Sequence, residues 1–460
     1  MNIETIKKLM KTSPDLKIRT INKINIIFFE SLTNSSDIND FLLKPIVKYN
    51  INNLSKLKSK IPFGNIKELN NATDLFYCLY SGFTIINIDN NFIAYETKYS
   101  LDSGILEATN EKVIKGPKDS FSENYQNNLG LIRKRIKSDK LIIREHVIGT
   151  SSKTKVSLIY MDNIINKDLI NRLEKKLKTM SMDYVANSNY ITDNLTNKSY
   201  MFPTNLLTER PDLVSFSLME GRCAIIVENS PQAIIIPSFF SDYIKTVDDY
   251  YQNTKNVSIT RIIRLIAFLI AILTPSIYIA LTTYNMETLP TSVLINFSMQ
   301  REGVPFPSII EAILLLISFE LLREADTRVP FALGSSMSIV GALILGQAAV
   351  DAGLISPIMI IVIAISSVAS FLFNDNDVVN TIRIWKLIFL LSSSFVGLYG
   401  IFIASLLFLI RISSIESYGF DYTIPYSPFN LKSMSNNLIL TKKFKLNKRS
   451  SFLTKNTKRR

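Results

Sequence analysis

The sequence predicts an α/β cytoplasmic module of two related subdomains followed by an α-helical multi-span membrane domain, and three observations predict it. Hydropathy divides the chain near residue 260. The first part is mixed and charged, whereas 265–410 carries uncharged runs of about twenty residues, long enough to cross a ~30 Å hydrocarbon core. Ahead of that division, one strand, helix and hairpin pattern occurs twice. Finally, acidic residues vanish after Asp421 and leave a basic end. These shifts set boundaries at 1–145 and 146–258 for the subdomains, 259–412 for the helical domain and 413–460 for a basic cytoplasmic tail.

In the first copy, Ile24 to Phe29 (INIIFF) is a short apolar run suited to a buried strand. Ser35, Ser36 and Asp37 then offer helix caps ahead of Ile38, Phe41, Leu42 and Val47 near helical spacing. In the second copy, Val156 to Met161 is the strand, and Leu169, Leu173 and Leu177 mark a helix at every fourth residue. Further on, Leu79-x-x-Gly82 leads into FTIINI and FIAYE around Asp89-Asn90-Asn91. Leu218-x-x-Gly221 leads into CAIIV and AIIIP around Glu228-Asn229-Ser230-Pro231. Each pair reads as a helix end followed by a hairpin. The offset at Gly82/Gly221 is 139 residues, too long for a solenoid repeat. Between the copies, 104–131 is polar and reads as irregular.

Charge and residue usage exclude several functions. The chain has 460 residues, 52 Lys+Arg against 39 Asp+Glu, and a net charge of +13, with one histidine and two cysteines. A disulfide scaffold is excluded, and Cys78 and Cys223 read as small buried hydrophobes. His146, in the charged stretch Arg144-Glu145-His146, reads as surface and leaves no His-based metal cluster. There is no phosphate-binding glycine loop with its Lys and no dinucleotide glycine cluster. No cofactor, metal, catalytic residue or nucleic-acid partner is expected, and the chain reads as no enzyme. The N-terminus shows no signal-peptide core, so the first part is expected in the cytoplasm.

The uncharged runs are 265–283, 329–350, 352–374 and 387–410, with a shorter apolar run at 308–322 containing Glu311 and Glu320. Asp351-Ala352-Gly353 separates two runs so tightly that a helical hairpin should form. Arg261 and Arg264 before the first run, and nine Lys/Arg from Lys442 to Arg460, place both ends in the cytoplasm, the tail beside anionic lipid. Both ends on one side demand an even number of crossings, yet five segments are counted. Either 387–410 turns back near Gly397 and Gly400, or one segment is re-entrant. Pro275 and Pro357 are positions where helices would break.

Three groups of residues stand out. Gly334, Ser338, Ala342 and Gly346 recur every fourth residue as a small-residue packing face. Around the same helix run Ser336, Val340, Leu343, Gln347 and Asp351, a stripe that suits either a buried face with polar ends or a narrow pore with an acidic mouth. Glu311, Glu320, Arg323, Glu324 and Arg328 are charges at or inside the membrane edge, with Glu320/Arg323 and Glu324/Arg328 at helical pairing distance.

Ordered motifs run through most of the chain. They include Gly116-Pro117 with Phe121-Ser122-Glu123, Leu131-Ile132-Arg133-x-Arg135-Ile136, and Thr208-Glu209-Arg210-Pro211-Asp212. Glu220-Gly221-Arg222, Asp248-Asp249-Tyr250-Tyr251, Arg301-Glu302-Gly303-x-Pro305-Phe306-Pro307 and Glu320-Leu321-Leu322-Arg323-Glu324-Ala325 follow. In this order they resemble the A-subunit family of spore germinant receptors, the GerA family. The resemblance implies a spore inner-membrane complex with a transporter-like, nutrient-binding B subunit and a lipoprotein C subunit. It further implies that A-type subunits oligomerise, as a pentamer, into a nutrient-gated ion channel. A secondary transporter component and a non-conducting signalling scaffold are the alternatives, and ion flux separates the three.

Overall fold

The computed structural model describes residues 13–458 except 23, 62–65, 70, 89–90, 100–110, 112, 114, 197–200, 329–345, 374, 430–436, 441–447, 451 and 455. Two five-stranded sheets open the chain. The first holds β1 (Leu16–Ile21), β2 (Ile24–Phe29), β3 (Ile66–Leu69), β4 (Phe83–Ile88) and β5 (Asn91–Glu96) in the order β1-β2-β4-β5-β3. The second holds β6 (Leu141–Ile148), β7 (Thr154–Met161), β8 (Leu206–Thr208), β9 (Cys223–Val227) and β10 (Ala233–Ile236) in the order β6-β7-β9-β10-β8. The orders are the same, and all pairings are antiparallel. Ile24–Phe29 and Thr154–Met161 take the second position of their sheets. Gly82 and Gly221 each precede the fourth strand at positive φ, +87° and +98°, a conformation that favours glycine. The duplication is therefore structural.

The two sheets do not have separate cores. Helices α1 (Ala72–Tyr80), α2 (Tyr125–Arg135) and α5 (Pro211–Met219) lie in one apolar layer that covers the inner face of both. Alternation decides the faces. Ile27 and Phe29 of β2, and Ile159 and Met161 of β7, point into this layer. On the outer face of the first sheet, Ile24, Ile26 and Phe28 meet Ile38, Leu42 and Ile46. On the outer face of the second, Val156, Leu158 and Tyr160 meet α3 (Lys167–Thr179) through Leu169, Leu173 and Leu177, beside α4 (Ser188–Leu195). A buried ion pair pins the shared layer. Arg133 of α2 donates through Nε and Nη2 to Asp15 at 2.6 Å each, and its guanidinium stacks on Phe29 at 4.2 Å.

Two expectations change here. The boundary at 145/146 falls inside β6, which pairs along its whole length with β7. The stretch 104–131 is not irregular at its end, because α2 starts at Tyr125 under an Asn124 cap that accepts from the Asn127 N–H. Polar Asn127 and Asn128 hide a helix whose apolar residues are few but buried.

The helical part contains α6 (Thr254–Thr283), α7 (Ser308–Arg328), α8 (Pro357–Ser370), α9 (Asn376–Val396) and α10 (Leu398–Ser413). Among the described residues, α6 and α9 are long and apolar enough to cross a membrane; α8 and α10 are apolar but shorter. The run 352–374 is thus no single helix: Ala352–Ile355 turn, and Pro357 opens α8 at the position where its missing N–H costs nothing. Before that turn, residues 346–351 are helical, and 329–345 lie outside the described residues. The run 387–410 divides at Gly397, whose φ of +65° ends α9 and starts α10 folding back. A Cβ on Gly397 would come within 2.5 Å of Asn285 Oδ1. Contacts fix the directions. Gly397 meets the end of α6, while Thr381 near the start of α9 donates to the Met201 carbonyl of the module.

Pro275 does not break α6. It removes the N–H that would reach the Ala271 carbonyl, and Ser366 Oγ of α8 donates to that carbonyl instead at 2.7 Å. The end of the chain is not a free tail either. Its described parts return to the module: β11 (Glu416–Ser417) and β12 (Phe420–Asp421) form a hairpin, and Leu453 packs with Phe239 and Ile424. Leu440 N–H donates to Ser258 Oγ at 2.9 Å, and Arg449 Nε to the Met219 carbonyl at 2.7 Å.

Replacing Ser366 by Ala should leave the Ala271 carbonyl unpaired inside the bundle. We expect a loss of about 1 kcal/mol, read as a lower thermal midpoint in detergent by the fluorescence of Trp385, the single tryptophan.

Candidate functional site

The joint between module and helices is built from short-range chemistry. After β10 the chain forms a turn, Val247–Tyr250, closed by a capping box. Thr246 Oγ1 donates to Asp249 Oδ1 at 3.1 Å, and the Thr246 N–H donates to Asp249 Oδ2 at 3.3 Å. The same carboxylate receives Arg261 Nε at 2.7 Å and Arg264 Nη1 at 3.1 Å, both from the first turns of α6. Arg261 and Asp249 are 1 % and 2 % exposed, so this pair is desolvated and each charge depends on the other. Arg261 also donates to the Asn437 carbonyl and Arg264 to the Ile244 carbonyl, which draws the C-terminal segment into the joint.

A second carboxylate stands beside it. Asp242 takes a bidentate contact from Arg222 at 2.7 and 2.9 Å, Lys245 at 3.3 Å, and the Phe239 N–H at 2.9 Å. Burial alone would raise the Asp242 carboxyl, but Arg222 and Lys245 hold it at about 2. The joint borders a cavity of about 1340 Å³ between the second subdomain, the helices and the C-terminal segment. On its far wall, Asp375 caps α9 by accepting from Asp377 and Val378 N–H. Burial, with Asp377 adjacent, pushes that carboxyl up to about 6. The arrangement suits coupling, because four cations from the module and α6 converge on two carboxylates.

The residues singled out in the sequence are only partly brought together. Ser336, Val340 and Leu343, with Gly334, Ser338 and Ala342, lie outside the described residues. Gln347 and Asp351 are exposed on the helical stretch that ends at Asp351, and a Cβ built on Gly346 meets nothing within 4 Å. Glu311, expected among interfacial charges, is fully buried. Its Oε2 accepts from Ser356 N–H and Oγ at 2.8 Å each, with Arg301 3.7 Å from Oε1. Glu320 pairs with Arg323 at 3.9 Å as expected, and more closely with Arg383 of α9 at 2.5 Å. Glu324 is exposed, and Arg328 ends α7. Cys78 and Cys223 are buried and burial raises both thiols, as small hydrophobes require. His146 is half-buried in β6, not an open surface residue.

Sequence reasoning passed over Asp242, Asp249, Arg222 and Arg261 as a site, although two of the motifs contain Arg222 and Asp249. The available signal was Asp249 in a T-x-x-D capping pattern just before a basic helix start.

Asp249→Asn should cost about 3–5 kcal/mol by leaving Arg261 buried without its counter-charge, measured as the shift in thermal midpoint. Asp242, depressed in the fold, contributes stability above pH ~4 that is lost as pH falls from about 4 to about 2, about 2 kcal/mol in all. Asp375, raised in the fold, acts oppositely and loses stability as pH rises from about 4 to about 6. Asp375→Asn keeps the cap, and in pH-dependent melting it should flatten that second window while leaving the first.

Comparison with known proteins follows this geometry. The family model described as "Bacillus/Clostridium GerA spore germination protein" matches residues 4–452. Spore germination protein KA of Bacillus subtilis (strain 168) is 32 % identical over 95 % of this chain and 83 % of its own length. Spore germination protein GerQA of Bacillus cereus is 33 % identical over 93 % and 87 %. A crystal structure of the N-terminal domain of the A subunit of the Bacillus megaterium spore germinant receptor GerK3 aligns with 52 % of this chain and 94 % of that one, at 28 % identity and a TM-score of 0.40. With a family model spanning nearly every residue and relatives matched along most of their length, the chain belongs to the GerA family of spore germination proteins.

Proposed function

We propose that this chain is the membrane subunit of a nutrient germinant receptor and oligomerises, as a pentamer, into a nutrient-gated ion channel whose opening triggers spore germination. It works in the spore inner membrane with a transporter-like B subunit and a lipoprotein C subunit, has no enzymatic role, and keeps its α/β module in the cytoplasm. The observation that carries this reading is the buried joint of Asp249 with Arg261 and Arg264. A rigid charged joint converts a displacement of the module into a tilt of α6, and a partner that has bound nutrient and prefers the tilted state would shift the population toward opening.

Helix directions support an even number of crossings. α6 and α9 run away from the module, and α10 returns to it, where Ile412 and Ile415 pack with Tyr422. α7 begins near Tyr278 and Ser356 at the far end, and Glu320 on its second half meets Arg383 near the start of α9. The pore is assigned to the apolar run 329–350. There Ser336, Val340, Leu343, Gln347 and Asp351 line the conduit. Gly334, Ser338, Ala342 and Gly346 pack against the next subunit, and the open space beside Gly346 supports that contact. A ring of Val340 and Leu343 closes by dewetting, without a charged plug.

Ion flux in proteoliposomes of the reconstituted receptor is the test. Val340→Ala or Leu343→Ser should raise flux without nutrient roughly tenfold, equivalent to about 1.4 kcal/mol in the closed-to-open balance. Asp351→Asn should lower cation preference and leave gating intact. Unchanged basal flux in these variants, with opening produced by comparable changes on α8, would move the pore to α8. Silence in every combination of subunits would make the chain a non-conducting scaffold.

A further inference from the structure

We propose that Arg323, Arg383 and Lys386 form a site for the phosphate of an anionic membrane lipid, on the module-facing half of the helices; this rests on the membrane-spanning reading above. Arg323 comes from α7, and Arg383 and Lys386 stand one turn apart on α9. Both arginines lean on a single oxygen, Glu320 Oε2, at 3.9 and 2.5 Å. Glu324, a turn further along α7, is exposed and has an interaction of its own. Lys386 is 7 % exposed and has no hydrogen bond or ion pair among the described residues. The Arg383 Nε is likewise buried without an acceptor. Two arginines thus share one carboxylate, and Lys386 adds a third cation beside them.

A buried lysine beside two partly exposed arginines leaves a net positive charge that calls for an anion. The side chains around the cluster indicate which kind. Leu321, Ile384, Leu387 and Leu391 are 66, 40, 41 and 45 % exposed, an apolar collar suited to acyl chains beside a phosphate-sized cationic seat. Lys386 stands ten residues beyond the start of α9, about 15 Å along its axis. Long cationic side chains bridge such a depth by reaching toward the headgroups. A free phosphate would use the cations and ignore the collar.

The full chain in neutral detergent provides the experiment, with Lys442, Lys443 and Lys445 changed to Gln so that the basic tail does not compete. Native mass spectrometry and thermal midpoints are compared in phosphatidylglycerol, in phosphatidylcholine and in inorganic phosphate. Phosphatidylglycerol should be retained roughly tenfold more tightly than phosphatidylcholine. Lys386→Gln combined with Arg383→Gln should abolish the preference, and Lys386→Arg should keep it, which guards against simple misfolding. Equal retention of the two lipids would overturn the proposal, as would a preference that survives the double variant. Equal stabilisation by inorganic phosphate would overturn the lipid source, and a changed oligomer size with unchanged lipid retention would assign the cluster to another copy. Alkaline carbonate extraction separates the two readings. Release of the chain from membranes sinks the spanning reading, whereas a retained chain without lipid preference sinks only the lipid site.

Discussion

One carboxylate organises the junction of this protein. Asp249 closes its own turn, neutralises two arginines of α6 and, through Arg261, engages the C-terminal segment at Asn437. Water is excluded from the pair, so neither partner gains by letting go. The start of α6 is anchored to a turn of the α/β module by these pairs. The adjacent Asp242 system, with Arg222 and Lys245, ties the end of the second sheet into the same network. A module held this way is tied to the start of α6 by buried charge.

Within the helices, two polar groups that the fold buries find their partners on a neighbouring helix. Pro275 leaves a carbonyl without its helical donor, and Ser366 on the neighbouring helix donates to it. Glu311 is buried, and the N-terminus of α8 at Ser356 receives it with two donors. Both solutions lock helix to helix by directional bonds in a region where apolar packing alone would permit sliding. They hold α8 at both of its ends: Ser366 against α6 near the module, Ser356 against α7 at the far side.

Some of this was legible in the sequence. The duplication could be read because buried strands β2, β4, β7 and β9 are continuous apolar runs and the helix-ending glycines recur at a fixed offset. The edge strands β1, β3, β6 and β8 escaped notice. They are short or half-exposed, and residues such as Lys17, Arg19, Lys67 and Glu68 break the alternation a pattern search requires. Helices α6 and α9 were visible as apolar stretches, but only tertiary contact reveals that α9 extends back to Asn376 through Arg383 and Lys386. The joint was invisible for a different reason. Asp242, Asp249, Arg222 and Arg261 look like ordinary surface charges until the fold buries them together.

The shared inner layer of the module makes each half depend on the other. Each sheet covers one face with helices of its own and leaves the other to the common layer of α1, α2 and α5. Each copy brings a helix of its own to that layer, α1 in the first and α5 in the second, yet their side chains finish in one core, so a lone copy would leave apolar surface facing water. The tandem chain supplies the second half of that core on the same molecule, at the high effective concentration that a covalent link provides. The halves are therefore alike in their core and unlike at its border, where only the second carries the charged joint to α6 through Arg222, Asp242 and Asp249.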